Sequence, residues 1–228
     1  MQTIADRLES AHKLIAQATH DAHRPANSVK LLAVSKTKPV SDLRQAYDAG
    51  QRLFGENYVQ EGIEKIQQMR SFTDIEWHFI GPLQSNKTKA VAEHFDWVQS
   101  IDRLKIARRL SEQRPHDMAP LNVCIQINID DEETKSGVLA SDVKDFAQEI
   151  ADYGQLRLRG VMAIPSASSS GAQQIASFRA MQNIFDDLKA TYSSIDTLSI
   201  GMSNDASLAI QHGSTMVRLG TAIFGSRQ

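Results

Sequence analysis

Leu31 to Pro39, LLAVSKTKP, is the stretch on which the reading of this chain turns. Five mostly apolar residues, Leu31 to Ser35, read as a buried strand, and Thr-Lys-Pro ends it as a turn. Lys36 therefore stands where the strand runs out, so that its amine leaves the core and is still held by it. Two readings of such a lysine stand side by side. A lysine after a strand is commonly a solvated loop residue. The alternative is a Schiff-base lysine, whose amine must be partly desolvated to act as a nucleophile near neutral pH. What other strands bring to the same end decides between them.

Outward from this stretch the chain alternates strand, turn and helix. A helix from about Thr3 to Thr19 opens it, with Ile4, Leu8, His12 and Ile15 at helical spacing, and a polar break from His20 to Ser28 follows. After the Lys36 strand come QRLF, ending in Gly55-Glu56-Asn57, with a helix through Gln68, and EWHFI, ending at Gly81, with a helix around Lys87 to His94. FDWVQSI precedes a helix from Arg103 to Gln113, and LNVCIQINI one from Ser141 to Tyr153. LRLRGVMAI gives way to PSASSSG and a helix from Ala172 to Tyr192. TLSI leads through Gly201-Met202-Ser203 to a short helix ending at His212, and TMVRLG is the last strand. Such repetition favours an α/β fold with one closed parallel (β/α)8 TIM barrel over an open doubly wound sheet. Gly225 to Gln228 is too short for a full eighth helix, and the N-terminal helix is expected to cover that gap. Residues 1–228 are expected to form a single domain, with 1–28 as helix and connector.

Composition narrows the classes. The chain has 228 residues, 41% of them hydrophobic, and a formal charge of -2, which suits a globular core and gives no basic excess for nucleic acid. Its one cysteine, Cys124, lies inside an apolar run and reads as a small core residue in a reducing compartment. MQTIADRLES lacks the apolar segment of a signal peptide, and no run approaches the roughly 20 residues of a membrane helix. A cytoplasmic protein is expected.

In a barrel of this kind, chemistry belongs at the carboxyl ends of the strands. Lys36, Asn57, His78 with Gly81, Asn128, Met162, Ser203 and Arg218 all fall near those ends. The loops after strands seven and eight are common phosphate sites. Ser203 offers a hydroxyl before a helix expected to begin at Asn204 or Asp205, and Gly220-Thr221 lets backbone amides approach an anion. A serine beside a helix start is also a common N-cap. Together with Lys36 these residues describe a site for a phosphorylated aldehyde. Arg218, two residues before Gly220, is either a surface salt-bridge residue or faces the mouth. In the second case its charge would keep a pyridine nitrogen unprotonated and weaken the ring as an electron sink.

LLAVSKTKP, FGENYVQE (Phe54 to Glu61), WHFIGPLQSNK (Trp77 to Lys87), SIDR (Ser100 to Arg103) and GMSND followed by MVRLGTAIFG carry a family resemblance. Over nearly its whole length the sequence resembles the YggS/PROSC family, the pyridoxal 5'-phosphate homeostasis proteins. The resemblance implies a fold-type III barrel like the N-terminal domain of alanine racemases, without their C-terminal β domain. It implies that Lys36 carries pyridoxal 5'-phosphate as an internal aldimine and that Ser203, Gly220 and Thr221 take its phosphate. Arg218 then lies near the pyridine nitrogen, and Asn57, His78, Ser199 and Met202 become pocket walls. It also implies a monomeric carrier or regulator of the cofactor that hands it transiently to apoenzymes, with no established catalytic reaction. One departure is Ser207, where the family commonly has an acidic residue on the helix side.

Other readings stay open on the residues. An amino-acid racemase would use Lys36 as one base and His78 or Tyr58 as the other, because proton shuttling needs two placed groups. GPLQSNKT, Gly81 to Thr88, mimics a nucleotide-binding P-loop, yet Asn86 replaces the second glycine and Pro82 removes an amide donor. Lys87 and Lys89 read as a solvated helix face, with Asn86-Lys87 a candidate part of the rim. DDEE, Asp130 to Glu133, lacks the alternating ligand spacing of a calcium loop and reads as an acidic turn. PSASSSG reads as a mobile loop over the mouth.

Overall fold

A computed structural model describes residues 2–131, 136–166 and 171–226. Its eight parallel strands close in sequence order: β1 (Lys30–Val34), β2 (Leu53–Glu56), β3 (Glu76–Phe79), β4 (Trp97–Ile101), β5 (Leu121–Gln126), β6 (Leu156–Met162), β7 (Thr197–Ser199) and β8 (Met216–Leu219). The helices are α1 (Ile4–Asp21), α2 (Val40–Asp48), α3 (Val59–Gln68), α4 (Thr88–His94), α5 (Leu104–Gln113), α6 (Val143–Ala151), α7 (Gly171–Thr191), α8 (Ala206–Gln211) and α9 (Thr221–Phe224). The expected (β/α)8 barrel is the fold observed.

Side-chain alternation divides the strands into two packings. Leu31, Ala33, Val98, Val123, Ile125, Val161, Val217 and Leu219 join the large apolar layer shared with the helices. Their neighbours Leu32 and Met216, with Ile80, form one small separate cluster, and Trp97, Cys124 and Met162 form another. These two clusters share the barrel interior with buried polar residues, among them Gln99, His78 and Ser199. The Cys124 thiol is pushed up to about 12 by burial, as suits an inert core residue.

α1 starts with a capping box, in which the Asp6 amide donates to Thr3 Oγ1 at 3.1 Å and the Thr3 amide to Asp6 Oδ2 at 2.9 Å. It packs on α8, α9 and α2, and so lies over the last, single-turn helix. Arg24, in the connector, donates from Nη1 to the carbonyls of Ile210 (2.9 Å) and Ser214 (2.6 Å) and ties down the end of α8.

Several boundaries differ from expectation, three of them near the residues that concern the site. β2 begins at Leu53 and takes in Gly55 and Glu56, because Gln51 turns inward to donate to the carbonyls of Leu31 (2.9 Å) and Leu53 (2.7 Å). α8 starts at Ala206 instead of Asn204 or Asp205, after the Met202 amide bonds Asp205 Oδ1 at 2.6 Å. Thr221 opens α9 instead of a loop. Ser207 is exposed on α8. Glu132 and Glu133 of the acidic run, and residues 167–170 of PSASSSG, lie outside the described residues, so neither reading is carried further. Among the described residues no helix is long and apolar enough to cross a membrane, and no group of three acidic, histidine or cysteine residues could hold a metal ion.

Gly81 brings the ends of β2 and β3 together, since a Cβ there would fall on the Asn57 carbonyl, inside van der Waals contact. Its own carbonyl accepts Ser100 Oγ at 2.6 Å. Gly81→Ala is therefore expected to destabilise the protein by about 1–3 kcal/mol through overpacking against backbone. Denaturant unfolding should show a lower midpoint at unchanged slope.

Candidate functional site

Lys36 continues the inward parity of Leu32 and Val34, and emerges half-buried at the mouth of the barrel. There it lines a cleft of about 400 Å³ together with Asn57, Arg218, Gly220 and Thr221. Met202 and Ser203, from the loop after β7, complete the same cleft with Asp205 and Gln174. Seven of the nine predicted residues thus meet in one place. A second depression of about 280 Å³ shares Asn57, Ile80 and Ile164 with the cleft, and Asn128 lies in it.

His78 and Ser199, expected as pocket walls, do not line the cleft. Both are fully buried, as is Met162, which packs inside the barrel on Trp97 and Cys124. Inward parity takes these side chains into the barrel instead of out through its mouth. They reach the cleft through Arg218. Its Nη1 donates to Ser199 Oγ (2.8 Å) and to the Ser199 carbonyl (2.7 Å), and its Nη2 to the Ala163 carbonyl (2.8 Å). Ser199 Oγ donates in turn to Gln99 Oε1 at 2.6 Å. With that oxygen engaged, Gln99 Nε2 is the group 3.0 Å from His78 Nδ1 and donates to it. The network therefore assigns a neutral His78 with its proton on Nε2. That ring stacks on Trp97 at 4.8 Å between centroids.

Arg218 is 5% exposed, and no carboxylate among the described residues lies within ion-pair distance of it. Burial pushes its guanidinium down to about 10, which still leaves it a cation at neutral pH. The salt-bridge alternative for this arginine is thereby replaced by a cation held on carbonyl oxygens beneath the cleft.

Lys38 differs from Lys36. Its ammonium donates to the carbonyls of Phe224 (3.2 Å) and Ser226 (3.1 Å), and it does not line the cleft. Lys36 is the cleft lysine of the pair. Asn86 and Lys87 are exposed and outside the cleft, and Arg103 Nη2 holds the Leu83 carbonyl at 2.9 Å in the loop that mimicked a P-loop. Tyr58, one candidate second base, is exposed and also outside the cleft.

Sequence reasoning passed over Gln99, Gln174 and Asp205. Gln99 carried a usable signal, being the one amide in WVQSI and at the inward parity of Trp97. Asp205 Oδ2 accepts Gln174 Nε2 at 2.8 Å, which ties the Met202–Asp205 turn to α7; nothing local in the sequence announces that partner.

Residues 12–228 match the family model described as alanine racemase, N-terminal domain. The curated pyridoxal phosphate homeostasis protein of Pasteurella multocida (strain Pm70) is 57% identical over 228 residues, covering 99% of this chain and 98% of that one. The protein of the same name from Escherichia coli (strain K12) is 53% identical, covering 100% and 98%. The chain belongs to the pyridoxal phosphate homeostasis proteins. Among solved structures, PipY of Synechococcus elongatus PCC7942 with PLP bound superposes with a TM-score of 0.84 at 34% identity, covering 98% of this chain and 100% of that one. Alanine racemase from Corynebacterium glutamicum shares the fold, with a TM-score of 0.69 at 18% identity, over 98% of this chain and 61% of its own.

In this family member His78 gives a measurable signature. Burial holds it below its usual 6.5, outweighing the opposing pull of Glu76. An unfolded histidine takes up a proton as pH falls through 6.5 while the folded one resists, so stability is lost from there down toward the folded-state value. His78→Gln removes that share. Its melting temperature should fall less than the parent's between about pH 7.5 and pH 5.5, and an unchanged difference would refute the neutral assignment.

Proposed function

We propose that this protein binds pyridoxal 5'-phosphate in the cleft at the barrel mouth and helps maintain its supply, as the names of its relatives state for them. The observation that carries the reading is one cleft holding the Lys36 amine together with Ser203, Gly220 and Thr221, above the buried Arg218 cation. The donor set suits the ligand: an amine for an aldehyde, a hydroxyl and backbone amides for a phosphate, and a cation for a ring nitrogen. Asn57 adds an acceptor, since its Oδ1 is buried with no hydrogen-bond partner among the described residues. Gly220 leaves room beside the Val34 carbonyl, which a Cβ would approach to 3.2 Å.

In the finer part of the proposal, Lys36 Nζ bonds the aldehyde carbon and the aldehyde oxygen leaves as water. When bound, the cofactor supplies an aldehyde that exchanges between amines and a ring that can draw off electrons. Arg218 opposes a second positive charge at the ring nitrogen and so favours holding the group over forming carbanions. His78, neutral and fully buried, is not placed to move a proton at a substrate in the cleft. The curated relatives are named for homeostasis and for no catalysed reaction. The reading extends to a single-domain cytoplasmic monomer that releases the cofactor to apoenzymes.

Lys36→Ala is expected to abolish the borohydride-stable adduct while leaving weaker, phosphate-anchored binding; Lys38→Ala should keep the adduct on the Lys36 peptide. An adduct surviving at that peptide in Lys36→Ala would overturn the assignment. Loaded protein in deuterated water should leave the α protons of a panel of amino acids unexchanged by NMR. Exchange that depends on Lys36 would replace the carrier reading with a racemase.

A further inference from the structure

Both chain neighbours of Lys36 are fastened to one charged cluster on the outer side of the sheet, buried at Glu56 and Lys65 and partly exposed at Glu61. Glu56, the last residue of β2, is fully buried, and Lys65, on α3, has a side chain only 5% exposed. The Lys65 ammonium donates to Glu56 Oε1 at 2.8 Å, to Glu61 Oε1 at 2.5 Å and to the Ser35 carbonyl at 2.7 Å, so all three of its hydrogens are used. Ser35 Oγ donates to Glu56 Oε1 at 2.6 Å. On the other side of Lys36, the Thr37 amide donates to the same Glu61 oxygen at 2.6 Å.

Thr37 has φ 62. A β-branched residue in the left-handed region is strained, and such a conformation persists only where its surroundings over-determine it. The Lys38 amide closes the turn around it on the Ser35 carbonyl at 3.1 Å, the Glu61 carboxylate holds its amide at 2.6 Å, and Lys65, one helical turn further along α3, orients that carboxylate. Neither Glu61 nor Lys65 lines the cleft. Burying an ion pair is a poor route to stability, because the charges lose their water; fixing the two residues around a reactive amine gives this one a use.

We propose that Glu61 and Lys65 are positioning residues for Lys36, clamping Ser35 and Thr37 so that the Lys36 amine is presented to the cleft in the geometry that bonding to an aldehyde requires. The idea rests on the function proposed above for Lys36. Removing one charge-assisted hydrogen bond at Thr37 should slow attachment of pyridoxal 5'-phosphate to Lys36 by about tenfold. Rate constants are read from the absorbance of the bound chromophore in Glu61→Ala, with Glu61→Gln as the variant that keeps an acceptor for Thr37.

Two further measurements separate clamping from a general loosening of the fold. In Glu61→Ala/Thr37→Gly the rate should recover, because glycine adopts φ 62 unaided. In a Lys36→Ala background, adding Glu61→Ala should leave noncovalent binding unchanged. Attachment at the parent rate in Glu61→Ala, a double variant that stays slow, or weakened noncovalent binding would each overturn the proposal. Hydrogen exchange at the Thr37 amide, followed in ligand-free protein, should be faster in Glu61→Ala than in the parent or Glu61→Gln, and unchanged exchange in Glu61→Ala also refutes the clamp. That readout needs no cofactor, so a parent protein that never forms an adduct counts against the ligand reading alone.

Discussion

Closure of the sheet between its first and last strands is the constraint from which the mouth of this barrel follows. β1 and β8 pair in parallel, with Leu32 opposite Arg218 and Ala33 opposite Leu219. That register brings residues from the two ends of the chain to one end of the barrel. Lys36 leaves the β1 side, and Gly220 and Thr221 the β8 side. Side chains alternate with a period of two, so a slip of one residue would turn Lys36 toward the helices and Arg218 out of the interior. α1 supports the register from outside by covering α8 and α9, where the last strand has only one helical turn to shield it.

Inside that frame, polar groups are buried in two different ways. Within the barrel Arg218 is held on carbonyl oxygens and a serine, and the hydrogen bonds pass down through Gln99 to His78. Outside the sheet, Glu56, Glu61 and Lys65 form a cluster of both signs. Desolvation outweighs the other influences on Glu56 and raises its carboxyl above the usual range, although Lys65 opposes this. An interior built only for stability would replace both groups with hydrocarbon. What they share is position, since each contacts the backbone or side chain of a residue at the mouth, as expected where local rules are broken for a site.

The barrel was legible because apolar strand runs and amphipathic helices alternate with short turns in one order, and parallel pairing of consecutive units is what such order permits. Lys36, Ser203, Gly220 and Thr221 were legible for a related reason: strand ends and the loops after β7 and β8 converge in any barrel of this type. His78 and Ser199 were misplaced because a sequence locates a residue along a strand more readily than its depth in the barrel. The start of β2 was missed because Gln51 looks like a strand residue and in fact spends its amide on the carbonyls of Leu31 and Leu53. Gln99 and Lys65 depend on partners brought close by the barrel alone, and no local pattern marks those.

Lys36 and Lys38 show how one backbone angle does the work that side-chain chemistry cannot. In a continuing strand, residues two apart point to the same face, and both amines would enter the cleft. The left-handed Thr37 between them ends that parity. Lys38 is left to bind the carbonyls at the end of α9, and Lys36 keeps the mouth to itself. Two chemically equal amines are thereby given different surroundings, and the selection lies in a strained turn that needs a partner to hold it. A carboxylate supplied by α3, and oriented there by a buried lysine, is such a partner. The site thus depends on a layer of residues that never touch the cleft, which is the layer that a reading confined to pocket walls leaves out.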